Sequence, residues 1–175
     1  SDLHQAAIAL GQSLRVLAAS PDDPAAQVSP EVVIGEHTDL DALRRAAAGS
    51  AALTFDHEHV PTHMLETLVA EGVNVAPPPA ALVHAQDKLV MRRRLAALGA
   101  PVPRFTAVES VDDVDAFAAA IRGPVVVKTV RGGYDGRGVV LTRDVAQARE
   151  VVAGYLADGV AVLLEERVSM RRELS

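Results

Sequence analysis

Short apolar runs alternate with helical patterns along the first 76 residues of the chain. Helices are expected over residues 3–10, 38–48 and 61–69, with Thr38-Asp39 able to cap the second and Pro61 suited to a first helical position. Strands are expected over residues 14–18, 32–34, 51–55 and 73–76, and the segment Ser20-Pro-Asp-Asp-Pro24 is expected to break the pattern after the first of them. This β-α-β-α rhythm with short connections predicts a mostly parallel sheet covered by helices.

The pattern changes after Pro77-Pro-Pro79, which breaks the first region. Asp87 can cap a helix that runs from Lys88 to about Leu98 and ends at Gly99. Beyond it the pattern predicts, in order, strand, helix, strand, glycine-rich loop, strand, helix and strand. The first and last of these strands are expected over 105–108 and 161–166, and the second helix over 144–155. In a wound α/β domain the first element of the chain is normally a strand, whereas this chain begins with a helix and stops abruptly. We therefore interpret it as an internal fragment of a longer protein.

Four glycines, at positions 132, 133, 136 and 138, follow a β-branched strand that ends near Lys128. Glycine reaches positive φ, and successive amide N–H groups in such a turn bind anions. The loop is neither a P-loop nor a Rossmann fingerprint. A glycine-rich hairpin without chemistry is the alternative, but a two-residue turn needs fewer glycines and a buried lysine needs a partner. The pattern favours a loop, or flap, that folds over a bound polyphosphate.

The composition excludes several classes of protein. Apolar residues make up 49% of the chain and aromatic residues 3%, so the core must consist of Ala, Val and Leu. With 17 basic and 23 acidic residues the net charge is −6, which argues against bulk electrostatic binding to nucleic acid or an anionic membrane. The chain has no cysteine, no apolar run of membrane-spanning length and no signal-peptide pattern at its start. We expect a soluble, cytoplasmic protein.

Several segments together resemble the N5-carboxyaminoimidazole ribonucleotide synthases of the ATP-grasp superfamily. They are residues 54–61, the helix start Gln86-Asp87-Lys88, Lys128 with the loop Gly132–Gly138, Glu165-Glu166, and the final residues 172–175. The resemblance implies an α/β fold. A pre-ATP-grasp domain (Rossmann-like, with a parallel sheet) is expected over residues 1–90 and the first part of an ATP-grasp domain over residues 91–175. It also implies that the family's first strand, its Gly-Gly-Gly-Gln loop and its C-terminal half are missing.

The activity implied by the resemblance is the ATP-dependent ligation of bicarbonate to 5-aminoimidazole ribonucleotide in de novo purine (IMP) biosynthesis. The products are N5-carboxyaminoimidazole ribonucleotide, ADP and phosphate. ATP and Mg²⁺ are the implied cofactors, with the metal ligands expected outside this chain, and a homodimer is implied for the full-length protein. Two alternatives stay open: another ATP-grasp ligase, such as a formate-dependent transformylase or a biotin carboxylase, and an ATP-binding module without catalysis.

The resemblance also assigns site residues. Lys128 matches the lysine that reaches the nucleotide phosphates, and Lys88 matches a basic position, usually arginine, that contacts ATP phosphate. Glu173 matches the acid that accepts hydrogen bonds from the ribose hydroxyls, and Glu58 matches an acid near the aminoimidazole end of the substrate. The flap matches Gly133, Tyr134, Asp135, Gly136, Arg137, Gly138 and Val139, and the adenine strand and hinge match Glu165, Glu166, Arg167 and Val168. Lys128, Tyr134 and Arg137 form the implied catalytic set, and the last two are also expected to face the imidazole ribonucleotide or bicarbonate.

Three further signals have simpler explanations. The His-x-His-x-x-x-His segment at residues 57–63 could bind zinc, but Pro61 interrupts it and alternate extended positions point to opposite faces. Arg92–Arg94 is interpreted as a solvated helix face because the chain is acidic overall. Glu165 and Glu166 point to opposite sides of a strand, so at most one faces the nucleotide and the other is a candidate ion-pair partner.

Overall fold

The computed structural model describes residues 2–133 and 138–172. It divides the chain into two compact units, Ser1–Leu82 and Val83–Ser175. Each unit has its own cluster of buried apolar residues. The domain boundary expected between residues 90 and 91 stays a prediction.

A short parallel pair of strands lies at the centre of the first unit. Strand β1 (Arg15–Ala18) pairs with β2 (Glu31–Ile34), with Val16 opposite Val32. Parallel strands need a crossover between them, and here the crossover contains a short helix. The helices are α1 (Asp2–Ala9), α2 (Pro24–Val28), α3 (Leu40–Ala47), α4 (Thr62–Ala70) and α5 (Pro79–Gln86), the last of which spans the boundary of the two units. The parallel sheet predicted for this region is confirmed.

The first unit's core is formed where α3 and α4 bury their apolar sides. Asp39 caps α3, since its carboxylate accepts hydrogen bonds from the N–H groups of Asp41 and Ala42. A cap of this kind satisfies N–H groups that the first helical turn leaves without partners. The core cluster consists of Leu43, Val60, Leu65, Leu68, Val75 and Leu82.

Two strands predicted for the first unit, over residues 51–55 and 73–76, are wrong. They are reduced to one parallel bridge between Leu53 and Val75. The bridge consists of two hydrogen bonds, from the Leu53 N–H to the Asn74 carbonyl at 2.8 Å and from the Ala76 N–H to the Leu53 carbonyl at 2.9 Å. The next residue of that segment that would donate to the partner strand is Pro78, and because proline has no N–H the ladder does not continue.

Proline caused the other errors in this region. Helices α2 and α5 begin at Pro24 and Pro79, which the sequence pattern treated as breaks. A proline in the first turn lacks only an N–H that would have no helical partner, so it starts a helix as readily as it ends one. Pro61 was expected at the first helical position but is the N-cap, and α4 begins at Thr62.

The second unit is built on an antiparallel sheet. In its described part, four strands lie in the order β3-β6-β4-β5. Aspartates start two of the helices: Asp87 accepts from the N–H of Val90 and Asp144 from that of Gln147. The elements are α6 (Lys88–Ala97), β3 (Phe105–Ala107), α7 (Asp113–Ile121), β4 (Val125–Thr129), β5 (Val139–Leu141), α8 (Val145–Ala157) and β6 (Val162–Glu166). The order of helices and strands predicted for this region is confirmed.

The two faces of this sheet differ in character. One face packs on α7 and α8 through Val125, Val127, Val162 and Leu164, with Val114, Phe117 and Val152 from the helices. Directly paired residues of an antiparallel sheet point to the same face, so the opposite face carries Val126, Lys128, Leu163 and Glu165. Strand β4 therefore brings Lys128 to the face that the helical core does not cover. No helix in the described part of the chain is long and apolar enough to cross a membrane.

Candidate functional site

The base of the glycine-rich hairpin is held in a conformation that favours glycine. Gly132, Gly133 and Gly138 have φ values of 67°, 71° and 68°, in the left-handed region. A Cβ on Gly138 would lie 3.2 Å from the Cα of Gly133 and well inside contact distance of the Thr129 hydroxyl oxygen. The N–H of Thr129 donates to the carbonyl of Gly138 at 2.8 Å. The two limbs of the hairpin thus approach closely just beyond β4.

Lys128 stands at the end of β4, beside this hairpin. Its cross-strand partner in β5 is Val139, the residue that follows Gly138. The Lys128 ammonium donates to Oε2 of Glu165 at 2.5 Å, and 21% of its side chain is exposed. The partner that a half-buried lysine requires is therefore a carboxylate on the neighbouring strand.

Glu165 is bound by two cations. Its Oε2 accepts from Lys128, and its Oε1 accepts from the Arg92 Nε at 2.6 Å. The Glu165 side chain is only 3% exposed. Burial alone would raise the pKa of Glu165, but the hydrogen bonds and charges of Arg92 and Lys128 outweigh it and hold the pKa below its ordinary value. The carboxylate is ionised, and the three side chains together carry one net positive charge.

Arg92 is a residue whose role the sequence interpretation missed. The prediction of a solvated face is wrong for Arg92, whose side chain is 19% exposed, whereas Arg93 and Arg94 are exposed as expected. The spacing of basic residues in α6 is the one sequence signal that could have revealed the role of Arg92. Lys88 and Arg92 are four residues apart in α6, so they lie on the same side of that helix.

The start of α6 is tied to the first limb of the hairpin. The Lys88 ammonium donates to the carbonyl of Gly132 at 2.5 Å, and the Lys88 N–H donates to that of Val130 at 2.9 Å. Asp87 forms an antiparallel bridge with Arg131 and an ion pair with its Nε at 3.3 Å. The structure thus places Lys88 within reach of the loop that the sequence assigned to phosphate.

Glu166 points away from Lys128 and holds Arg104. Its carboxylate accepts from the Arg104 backbone N–H at 3.1 Å and from the Arg104 Nε at 2.6 Å. These bonds lower the pKa of Glu166, the backbone bond most strongly. The Arg104 guanidinium also donates to the carbonyls of Ala120 and Ile121 at the end of α7. Of the two glutamates, Glu165 is therefore the one that shares a face with Lys128.

The segment after β6 uses part of its backbone within the fold. The N–H of Glu166 donates to the carbonyl of Arg104 at 2.9 Å, and the N–H of Arg167 donates to that of Pro124 at 3.2 Å. Val168, which follows, has 53% of its surface exposed. The backbone of Glu166 and Arg167 is thus fixed, and an exposed apolar residue comes next.

Glu58 lies in the first unit, in the loop before α4, and is half-exposed. Its neighbours His57 and His59 have ring centroids 5.1 Å apart, and His37 contacts His57 at the same separation. Burial, followed by the charges of His37 and His59, lowers the pKa of His57. No group of three or more His, Cys, Asp or Glu in the described ranges is placed to hold a metal ion, so the described residues give the zinc hypothesis no support.

Five of the predicted site residues lie outside the described residues: Tyr134, Asp135, Gly136, Arg137 and Glu173.

Two family models together match most of the chain. Residues 93–175 match the family model of the ATP-grasp domain, and residues 2–86 match that of the ribonucleotide synthetase preATP-grasp domain. An N5-carboxyaminoimidazole ribonucleotide synthase from Mycobacterium leprae is 70% identical over 98% of this chain, which spans 41% of that relative. The chain therefore covers about two fifths of the length of the curated relatives it matches.

Two solved structures are similar to the chain along nearly its whole length. An N5-carboxyaminoimidazole synthetase from Staphylococcus aureus complexed with ADP has a TM-score of 0.85 and 26% identity, over 97% of this chain and 45% of that one. An N5-carboxyaminoimidazole ribonucleotide synthetase from Thermus thermophilus has a TM-score of 0.84 and 33% identity, over 98% of this chain and 45% of that one.

Proposed function

The chain belongs to the N5-carboxyaminoimidazole ribonucleotide synthases of the ATP-grasp superfamily, and on that premise we propose an activity for the full-length protein. It uses ATP to join bicarbonate to 5-aminoimidazole ribonucleotide, which gives N5-carboxyaminoimidazole ribonucleotide, ADP and phosphate in purine biosynthesis. The observation that carries the proposal is the position of Lys128, beside a hairpin of left-handed glycines and in a cluster with net positive charge.

The nucleotide phosphates are the ligand that this arrangement fits best. The N–H groups of Gly133, Gly138 and Val139 and those of the loop between them are the candidate donors, and Lys128 adds a point charge at one end of the hairpin. Lys88 reaches the same hairpin from α6, where it bonds the Gly132 carbonyl. Phosphoryl transfer depends mainly on alignment and charge neutralisation, and these groups supply both.

The adenosine end of the nucleotide is assigned to the segment after β6. Because the N–H groups of Glu166 and Arg167 donate within the fold, the N–H of Val168 is the donor we assign to the purine edge. The exposed side chain of Val168 offers an apolar contact for the ring. Glu165 acts through Lys128 in this assignment, and Glu173 accepts hydrogen bonds from the ribose hydroxyls.

The acceptor is assigned to other residues. Glu58 is the candidate group for 5-aminoimidazole ribonucleotide in the first unit, and Tyr134 and Arg137 are the candidates in the flap. Bicarbonate takes the terminal phosphoryl group of ATP to form carboxyphosphate. The substrate amine then attacks its carbonyl carbon, and phosphate leaves. A closed flap protects that labile intermediate from water. We assign the Mg²⁺ ligands to residues beyond position 175 and propose that the full-length protein is a homodimer.

Steady-state kinetics of the full-length protein test the proposal. ADP formation is expected to require bicarbonate and to rise when 5-aminoimidazole ribonucleotide is added. Replacing Lys128 by methionine is expected to weaken ATP binding and slow turnover, because the phosphates lose a charge-assisted donor. The matched control is Arg94→Met, which removes a positive charge from an exposed position of α6.

Three outcomes contradict the proposal in different ways. Activation by formate or by a biotin acceptor instead would assign the protein to another class of ATP-grasp ligase. Binding of ATP without acceptor-dependent turnover would indicate a nucleotide-binding module. Equal behaviour of Lys128→Met and Arg94→Met would remove Lys128 from the site.

A further inference from the structure

We infer that Arg92 is a positioning residue of the nucleotide site, which acts on the phosphates through Glu165 and Lys128. Its guanidinium neutralises the buried Glu165 carboxylate, so that the Lys128 ammonium keeps its charge for the nucleotide. The inference rests on the function proposed above and deepens it, because it names what sets the orientation and the charge of the phosphate-binding lysine.

Arg92 sets the charge balance of the cluster. A buried pair made only of Lys128 and Glu165 would have no net charge, and it would attract a polyphosphate weakly. The third member changes this balance, because Arg92 and Lys128 together outnumber the one carboxylate. Because a guanidinium stays charged in proteins, Arg92 offsets the Glu165 carboxylate, and the charge of the Lys128 ammonium is then in excess.

The hydrogen bonds of Glu165 connect the position of Arg92 to that of Lys128. Each oxygen of Glu165 serves a different cation, with Oε1 2.6 Å from the Arg92 Nε and Oε2 2.5 Å from the Lys128 Nζ. Glu165 pairs with Val126 across the sheet, two residues before Lys128, so the carboxylate reaches the ammonium diagonally. Fixing one oxygen fixes the other, and Arg92 thereby limits where the flexible lysine side chain can place its nitrogen.

Arg92 belongs to a helix that is itself anchored to the hairpin. It lies on α6 one turn after Lys88, whose ammonium and N–H bond the carbonyls of Gly132 and Val130. Asp87 caps the helix and pairs with Arg131. The side of α6 that ties down the base of the hairpin thus also holds the carboxylate that orients Lys128.

Nucleotide titration of the full-length protein tests the inference, with ADP as the probe and calorimetry as the measurement. Arg92→Met is expected to weaken ADP binding by about tenfold, because Lys128 is then neutralised by an unshared carboxylate. Arg93→Met is the matched control, since it makes the same substitution at the adjacent exposed position. It is expected to stay within about twofold of the wild type, as surface charges do.

A double-mutant cycle separates positioning from a general effect on folding. In the Glu165→Gln background, which lacks the buried negative charge, Arg92→Met is expected to weaken ADP binding by no more than about threefold. Arg92→Lys keeps the charge and is expected to restore most of the affinity that Arg92→Met loses. The KM for ATP is expected to rise in Arg92→Met, while the KM for the acceptor is unchanged.

The outcomes distinguish this inference from the proposed function. If Lys128→Met weakens ADP binding but Arg92→Met behaves as Arg93→Met, the inference is overturned and the proposed function stands. Equal losses from Arg92→Met in both backgrounds, or no recovery in Arg92→Lys, also overturn it. If the wild-type protein does not bind ADP, or if Lys128→Met binds it normally, both are overturned.

Discussion

Gly138 provides a sharp test of how the hairpin is built. Its φ of 68° lies in a region where a side chain costs roughly 1–2 kcal/mol in an L-residue. A Cβ at this position would also collide with the Thr129 hydroxyl and lie 3.2 Å from the Gly133 Cα. Overpacking of that kind adds about 1–3 kcal/mol. We therefore expect Gly138→Ala to destabilise the hairpin base by about 2–5 kcal/mol, the sum of these two costs.

Gly132 is the matched control for this prediction. Its φ of 67° is nearly identical, but a Cβ there would have no atom within 4 Å among those described. Gly132→Ala therefore carries the backbone cost without the collision, and we expect a loss of only about 1–2 kcal/mol. The gain from restricting the unfolded chain is the same in both variants and cancels in the comparison.

Hydrogen exchange of the Thr129 amide is the local assay, because this N–H bonds the Gly138 carbonyl. Exchange is expected to be faster in Gly138→Ala than in Gly132→Ala, by about tenfold for each 1.4 kcal/mol of difference. The added Cβ would lie close to two side-chain atoms of Thr129, the hydroxyl oxygen and the methyl carbon. Combining Thr129→Ala with Gly138→Ala removes both atoms and is expected to recover part of the lost stability. Equal exchange in the two single variants would refute the reasoning, as would a double variant that recovers nothing.

Three further predictions follow from other parts of the chain. Gly35→Ala is expected to destabilise the first unit by about 1–3 kcal/mol, since its Cβ would lie 2.5 Å from that of Ala42; an unchanged urea midpoint would contradict this. Gly154→Ala, at an exposed position inside α8 with open space around it, is expected to stabilise the protein by about 0.5–1 kcal/mol, and a lower melting temperature would count against it. The pKa of His57 is lowered in the folded state, so below about pH 6.5 the unfolded chain binds more protons at this residue than the folded chain does. The free energy of unfolding is therefore expected to decrease as the pH is lowered through this range. If the free energy of His57→Asn depends on pH as steeply as that of the wild type, another group is responsible.

The sequence predicted best those elements whose signals are local. The caps at Asp39 and Asp87, the helix near Asp144 and the strand that delivers Lys128 depend on neighbouring residues, and all lie where the pattern indicated. The errors at Pro24 and Pro79 have a physical source as well. Proline both ends and begins helices, and its own identity does not decide between the two.

The site needed information that periodicity does not contain. Lys128 and Glu165 are far apart in the chain, and only the register of β4 against β6 makes them neighbours. That register also decides that Glu165, and not Glu166, shares the face of the lysine. Arg92 joins them through the packing of α6, which depends on Lys88 and Asp87 meeting the end of β4 and the hairpin. The four-residue spacing of Lys88 and Arg92 was the one local sign of this arrangement.

A crystal structure of the full-length protein with ADP tests the central claim most directly. The account predicts a β-phosphate oxygen about 3 Å from the Lys128 ammonium, with hairpin amides around it and Arg92 still bonded to Glu165. The purine edge is expected at the backbone of Val168. ADP bound away from β4 and the hairpin, with Lys128 bonded only to Glu165, would contradict the account.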